Sequence, residues 1–339
     1  MKYILNEIPI KTTNGFKVNN VKVDLDIPKT MKFHDYEFEN IDVSNIETSI
    51  KKDFVSHIGL NNKEYKNTNI LINTQINDLI KINYDFKEED HLVDNININV
   101  DKGLDINICI NYNSKDNYQH FHNGNININV EENSKLNITI INSININSIN
   151  LISGNINGSN NSTVKINLID LNGSIRIYNF KSNTQSNAST YLNNIYIGMR
   201  NDLIDMNYHF INEGINSNNN IEVQGVLDNN AIKTFKGTID FKENSKKSIG
   251  HENENCLLLS DNCISKSVPI LLCHEEEVIG SHSVSSGKID PNKLFYLMCR
   301  GLDKEESKRL VIKSNFCSII NDIPEELRDI ITEKIDEII

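Results

Sequence analysis

Between residues 250 and 300 the chain gathers side chains that bind soft and borderline metals: Cys256, Cys263, Cys273, His274, Glu275 to Glu277, His282 and Cys299. Thiolates and imidazoles are the ligands that iron and iron-sulfur clusters prefer, with carboxylate oxygen an occasional substitute. The spacings include no CxxC pair and match neither a ferredoxin nor a zinc-ribbon pattern. From spacing alone, packing of Cys256 and Cys263 as small buried hydrophobes in strands stands beside the ligand reading. A second pair, in His120-Phe-His122, puts two imidazoles on one strand face. No third ligand is near it, and such pairs beside an Asn-rich turn are more often solvated than metallated.

Other chemistries are missing from the sequence. No GxxxxGK[ST], GxGxxG after a strand, HExxH or GxSxG occurs, so no nucleotide loop, zincin or serine-hydrolase signature is present. A formal charge of -12 without a Lys/Arg block argues against nucleic acid as a partner. Met1 to Ile10 is too short an apolar run for a secretory signal, and no long apolar stretch follows, so no membrane and a cytoplasmic location are expected. Asn-x-Ser/Thr triplets such as Asn137-Ile-Thr139 are then chance products of an Asn-rich chain. Five of the six cysteines lie beyond residue 250 in no dense framework, which fits a reducing compartment.

The elements that must position these residues show in the hydrophobic rhythm. Residues 1–85 read as a small mixed segment: Val21 to Ile27 and Asn69 to Asn77 alternate at period two, while Val43 to Ile58 has apolar residues at near-helical spacing and predicts a short helix. Over 86–289 the pattern is short alternating runs between Asn, Asp, Gly and Ser turns. Asn95 to Val100 reads NININV, and the same six letters return at Asn125 to Val130, each followed by a turn and a second strand, Leu104 to Ile110 and Leu136 to Ile140. Further runs follow at 164–168, 174–178, 190–197, 220–224 and 238–241. Short strands recurring without crossover helices are the mark of a solenoid, favoured here over a β-sandwich. Its Ile, Leu and Val would fill the axis, Asn between them would face out, and Asn at turns could stack into ladders.

Residues 290–339 are different, with helical periodicity. Pro291 to Met298 predicts a helix ending before Gly301, Asp303 to Glu306 has the form of a capping box, and Pro324 opens a last helix with Leu327, Ile330, Ile331, Ile335 and Ile338 at 3/4 spacing.

Several segments carry a resemblance. Gly280-Ser-His-Ser-Val-Ser-Ser-Gly-Lys-Ile-Asp290, then Lys293-Leu-Phe-Tyr-Leu-Met-Cys-Arg-Gly-Leu302 and Lys304-Glu-Glu-Ser-Lys-Arg-Leu310, resemble the carboxy-terminal signature of the SufB/SufD family of iron-sulfur cluster assembly scaffolds. Upstream, Phe235-Lys-Gly-Thr-Ile239, Asn253 to Ser260 and Ser267-Val-Pro-Ile270 look like further family segments in the same order. The resemblance covers about residues 200–315. It implies a mostly β chain with a right-handed parallel β-helix core and a carboxy-terminal helical domain. That domain would dock an ABC-type ATPase, SufC, through Leu294, Phe295, Tyr296, Arg300, Gly301, Leu302 and Leu310.

The last coils would pair with a SufB/SufD partner, or with a second copy as a homodimer, and a transient iron-sulfur cluster would be built at that junction. In this light His282 aligns with the His that SufD-type members present there. SufB-type members follow it with Glu, where this chain has Ser283, and Glu254 stands in the place of the SufB-type cysteine implicated in receiving sulfur. Both departures favour a SufD-like part. Cys256 lies two residues on and would share a strand face with Glu254; Cys263 matches a cysteine of many SufB-type members, and Cys273 precedes His274. Cys299 and Cys317 fall in helices that the family uses for packing. The expected role is a noncatalytic scaffold, with ATP hydrolysis in the partner. The alternative, a polysaccharide-active β-helix enzyme, would need paired carboxylates that the Asn-rich strands do not offer.

Overall fold

The computed structural model describes residues 1–12, 14–28, 30–88 and 90–339. Strands β1 (Lys2–Leu5) and β2 (Val21–Asp24) form an antiparallel pair. The next strands are β3 (Glu37–Glu39), β4 (Ile46–Val55), β5 (Asn61–Ile72), β6 (Ile80–Phe86), β7 (His91–Val100), β8 (Asp105–Ser114) and β9 (Phe121–Val130). They continue as β10 (Lys135–Ser143), β11 (Ile149–Gly158), β12 (Thr163–Asp170), β13 (Ile175–Thr184), β14 (Ser189–Gly198), β15 (Leu203–Asn212) and β16 (Asn218–Leu227). The series ends with β17 (Ile232–Phe241), β18 (Ile249–Leu258), β19 (Ile264–Cys273) and β20 (Ile279–Lys288), before helices α1 (Pro291–Cys299), α2 (Lys304–Asp322) and α3 (Glu325–Ile338).

From β5 onward successive strands alternate between two nine-stranded sheets, which makes a β-solenoid of about eight turns. The first sheet runs β4-β5-β7-β9-β11-β13-β15-β17-β19, the second β3-β6-β8-β10-β12-β14-β16-β18-β20. From β5 and β6 onward all pairs are parallel and in register, and Asn95 to Val100 lies residue for residue on Asn125 to Val130. The isoleucines of both hexamers are buried. Their asparagines face outward and bond along the ladder: Asn127 Nδ2 donates to Asn95 Oδ1 at 2.9 Å, and Asn129 Nδ2 to Asn99 Oδ1 at 2.9 Å. Turn asparagines do the same, Asn216 Nδ2 donating to Asn187 Oδ1 at 3.0 Å with both residues at positive φ, a conformation Asn tolerates well.

The expected helix over 43–58 is not formed. A 3-10 turn at Val43–Asn45 leads into β4, which pairs antiparallel with β5. Residues four apart share a face in a strand as well as in a helix, so the Ile46, Ile50, Phe54 spacing does not separate the two. The long edge of β5 supplies hydrogen-bond partners that settle the choice.

The three helices follow their sequence signals. Asp303 and Glu306 make the reciprocal capping box, and Gly301 takes φ +100 after α1. Ile312, Phe316 and Ile319 of α2 and Leu327, Ile331 and Ile335 of α3 bury against the outer face of the second sheet, on Cys109, Ile141, Ile169 and Ile195. Helix α1 buries none of its residues.

Candidate functional site

The inner side of the second sheet sets the candidate residues in stacks. One stack reads Ile80, Ile108, Ile138, Ile166, Leu192 and Ile221, then changes to Glu252 and His282. The neighbouring stack ends Asn194, Val223, Glu254, Val284, and the next Tyr196, Gly225, Cys256, Ser286. This row, aliphatic over its first six members, thus turns polar in the last two coils, and the rows beside it carry Glu254 and Cys256 there. No coil follows β19 and β20, so every residue of β20 is exposed and β19 is only half-buried.

Glu254 and Cys256 share the inner face, as period two requires, and both are fully buried. Glu254 is spoken for. Lys233 Nζ and Ser267 Oγ donate short hydrogen bonds to its carboxylate, and Tyr196 OH donates at 3.4 Å. Lys233 also donates to Ser267 Oγ at 3.0 Å and to the Lys266 carbonyl at 3.3 Å. This pair is closed upon itself, and removing either partner would strand a buried charge.

Cys256 sits in the axial core beside Tyr196, and burial pushes its thiol up against the opposing pull of Lys233, so it is protonated at neutral pH. Gly225 makes this possible: a Cβ there would lie 1.9 Å from the Tyr196 ring. Cys263, half-buried at the corner before β19, has its Sγ 3.0 Å from the Ser260 carbonyl and packs on the same core. Cys273 is exposed at the far end of β19, a ten-residue strand or roughly 33 Å long, so these two thiols are not brought together. Cys299 and Cys317 are exposed on helices.

His282 projects from the edge strand, exposed and in register with Glu252. Glu252 was not among the expected site residues. It is 2% exposed, neither carboxylate oxygen has a hydrogen-bond partner, and burial, with the Glu254 charge beside it, pushes it up to about 8. Gly237 of the Phe-Lys-Gly-Thr-Ile segment gives it room, since a Cβ there would lie 2.3 Å from the Glu252 carboxyl carbon. At neutral pH the group is therefore largely a neutral acid lying beneath an exposed imidazole.

The His120, His122 pair is committed elsewhere, and it is buried rather than solvated. His122 Nδ1 lies 2.7 Å from Asn150 Oδ1 and Nε2 3.2 Å from Asp94 Oδ1, while His120 Nε2 lies 2.7 Å from Asp116 Oδ1. Among the described residues no group of three or more His, Cys, Asp and Glu side chains is arranged to hold a metal ion. Nor is any helix among them long and apolar enough to cross a membrane.

On the helical side, Phe295, Tyr296, Met298 and Leu310 are exposed apolar groups on adjacent turns of α1 and α2. Arg300 packs over the Tyr296 ring at 5.2 Å and donates to its hydroxyl at 3.0 Å. Leu294 and Leu302 are half-buried, and Gly301 is exposed.

Comparison with known proteins agrees with this geometry. The family model described as SUF system FeS cluster assembly, SufBD core domain, matches residues 84–315, well over half of the chain. The iron-sulfur cluster assembly protein SufD of Bacillus subtilis is 35% identical over 102 residues, 30% of this chain and 23% of that protein. A SufBD family protein of Pyrococcus horikoshii is 32% identical over 159 residues, 45% of this chain and 34% of its own length. One from Galdieria sulphuraria is 28% identical over 123 residues, 36% of this chain and 55% of its own length. The matched segments span less than two thirds of each of these relatives. With the solenoid, its open end and the ordered motifs from Phe235 to Leu310 in place, the chain belongs to the SufBD family of iron-sulfur cluster assembly proteins.

Proposed function

We propose that the chain is a scaffold subunit of a SUF-type complex, one that joins a second SufB/SufD-type subunit or its own copy through the open end of the solenoid. The observation that carries this is the exposed edge of β19 and β20, which leaves inner-face residues His282, Val284 and Ser286 uncovered at the end of a buried axis. An unpaired edge over an unfinished core is a template for another sheet edge.

The nascent iron-sulfur cluster is the cargo, built at that junction and passed on. His282 and Cys273 are the expected candidates already at the surface, and His282 is the one in register with the buried Glu252. Cys256 becomes a ligand only when the last coils open or rearrange, because a buried protonated thiol neither attacks nor ligates. Glu254, held by Lys233, acts as a structural anchor for the last coils. The exposed apolar surface of Phe295, Tyr296, Met298 and Leu310 supports docking of a SufC-like ABC ATPase, which would supply the conformational work. The acid-bearing groove that a polysaccharide-cleaving enzyme needs has no support, since Glu252 and Glu254 are sealed inside.

Anaerobic reconstitution with iron and sulfide, together with the ATPase and any sister subunit, should give iron-sulfur absorption that His282→Ala lowers severalfold. No absorption from the assembled wild-type complex would sink the scaffold reading.

A further inference from the structure

The first residues of the chain reach the open end. Strands β1 and β2 lie on the outer face of the first sheet, where Leu5, Val21, Val23 and Leu25 pack on Val93, Phe121, Leu151 and Ile177. Asn6 pins them: its amide donates to Asp205 Oδ1 at 2.6 Å, and its carbonyl accepts from Lys236 Nζ at 2.9 Å. The loop between β1 and β2 then overhangs β19. A cleft of 700 Å³ separates Phe16, Lys17 and Val18 from Lys266, Val268 and Pro269. A second, of 640 Å³, continues it beneath Lys17, Lys22 and Lys266, over Leu203 and Ile232 at the starts of β15 and β17.

Lys17, Lys22 and Lys266 have no ion pair among the described residues, and the acid in that wall, Asp205, is occupied by Lys236. Lys17 and Lys22 carry uncompensated ammonium groups and Lys266 shares the field of Asp205 with Lys236, so the cleft is positive in a chain of net charge -12. The opposite charge lies at the other end of the same strand, in the turn after Cys273. There Glu276 is exposed without an ion pair among the described residues, Glu277 is exposed with Lys246 Nζ 3.9 Å away, and the half-buried Glu275 accepts from the Asn244 N–H. Within one chain the two cannot meet, because the length of β19, roughly 33 Å, lies between them.

Between two copies they can. Strands β19 and β20 run in opposite directions, being consecutive passes of one flattened coil. Two copies joined end to end by a two-fold axis can therefore pair their edges antiparallel in two ways. An axis along the strands sets β19 against the partner's β20 and brings the lysine cleft to the partner's Lys288 end. An axis perpendicular to the sheets sets β19 against its own copy, and each Glu275 to Glu277 turn then lies beside the start of the other β19, at the lysine cleft.

We propose that a second copy of this chain docks in the perpendicular arrangement, each acidic turn entering the other copy's cleft between Lys17, Lys22 and Lys266. The inference rests on the end-to-end pairing proposed above, and it makes the amino-terminal loop part of that interface. Electrostatic matching of this kind selects register and orientation.

The test uses the full chain by analytical ultracentrifugation, with wild type beside three variants. These are E275K/E276K/E277K, K17E/K22E/K266E and the six-fold combination, and Val284→Asp marks loss of edge pairing. The expected result is a wild-type dimer that Val284→Asp abolishes, that each charge reversal weakens by about tenfold or more, and that the combination restores. Zero-length carbodiimide cross-links between isotopically light and heavy copies should join Lys17, Lys22 or Lys266 to the Glu275 to Glu277 turn. A dimer lost in Val284→Asp but indifferent to both reversals, without those cross-links, would overturn the clamp and leave end-to-end pairing standing. A wild-type chain that stays monomeric at about 100 μM would overturn self-pairing and the clamp together.

Discussion

Glu252 is a buried carboxyl without a hydrogen-bond partner among the described residues, and its effect on stability has a definite sign. Its ordinary value of 4.5 is raised to about 8 by folding. Between those values the unfolded chain has released a proton that the folded chain still holds, so stability falls as pH rises from about 4.5 to about 8 and is level above that. Glu252→Gln removes this slope. In urea titrations the variant should match wild type near pH 4 and exceed it by about 2–4 kcal/mol at pH 8. Thiol labelling separates the cysteines in the same way. A maleimide at neutral pH should modify Cys273, Cys299 and Cys317 quickly and leave Cys109 and Cys256 unmodified until the chain opens, read by peptide mass spectrometry. The sequence made the polar cluster beyond residue 250 visible, and period two placed Glu254 and Cys256 on one face. It did not separate an anchored carboxylate from a free one, because Lys233 and Ser267 come from neighbouring strands 21 and 13 residues away. Glu252 becomes conspicuous only after the coils are aligned, when it stands in a stack that is Ile or Leu in every earlier coil.

Elements were legible in proportion to how local their signals are. The capping box at Asp303, the stop at Gly301 and the 3/4 spacing of α3 are all satisfied within a turn or two, and all three stand in the structure. Asp303→Ala should lower stability by about 1 kcal/mol, measured as a shift of the denaturation midpoint. Strand β4 is not legible in its own segment because its pairing partner, not its own pattern, decides its conformation. Strands β11 and β18 to β20 do not stand out individually, since Asn, Ser, Glu and His interrupt their alternation at inner positions, whereas β15 keeps an apolar inner row of Ile204, Met206, Tyr208 and Phe210. On β11 and β18 those interruptions, Asn150, Glu252 and Glu254 among them, belong to the buried polar groups of the axis. On helix α1 the exposed aromatic groups contribute little to the fold. If a SufC-like ATPase docks there as proposed, Phe295→Asp should weaken its binding by tenfold or more while leaving the melting temperature within about 2 °C of wild type. Calorimetry of binding and of unfolding on one preparation checks both halves.

The whole molecule behaves as a one-dimensional stack in which each coil is stabilised by its neighbours. The middle coils have two neighbours and the last has one, so hydrogen exchange in the isolated chain should be fastest in β19 and β20 and slowest in β11 to β14. Addition of the pairing subunit should slow the end strands by tenfold or more. Solenoid architecture was legible from the repeat alone; the difference between the two ends was not, because it depends on which strand lies outermost. At the beginning, β3 and β4 join their sheets antiparallel, β3 is only three residues long, and β4 carries Lys51, Lys52 and Asp53, the last at positive φ. Such an edge is blunted against further pairing. A rod with one reactive end and one blunt end has a valence of one. Were two rods to meet end to end as proposed above, no growing tip would remain, and polymerisation of an Asn/Ile-rich chain would stop at the first step.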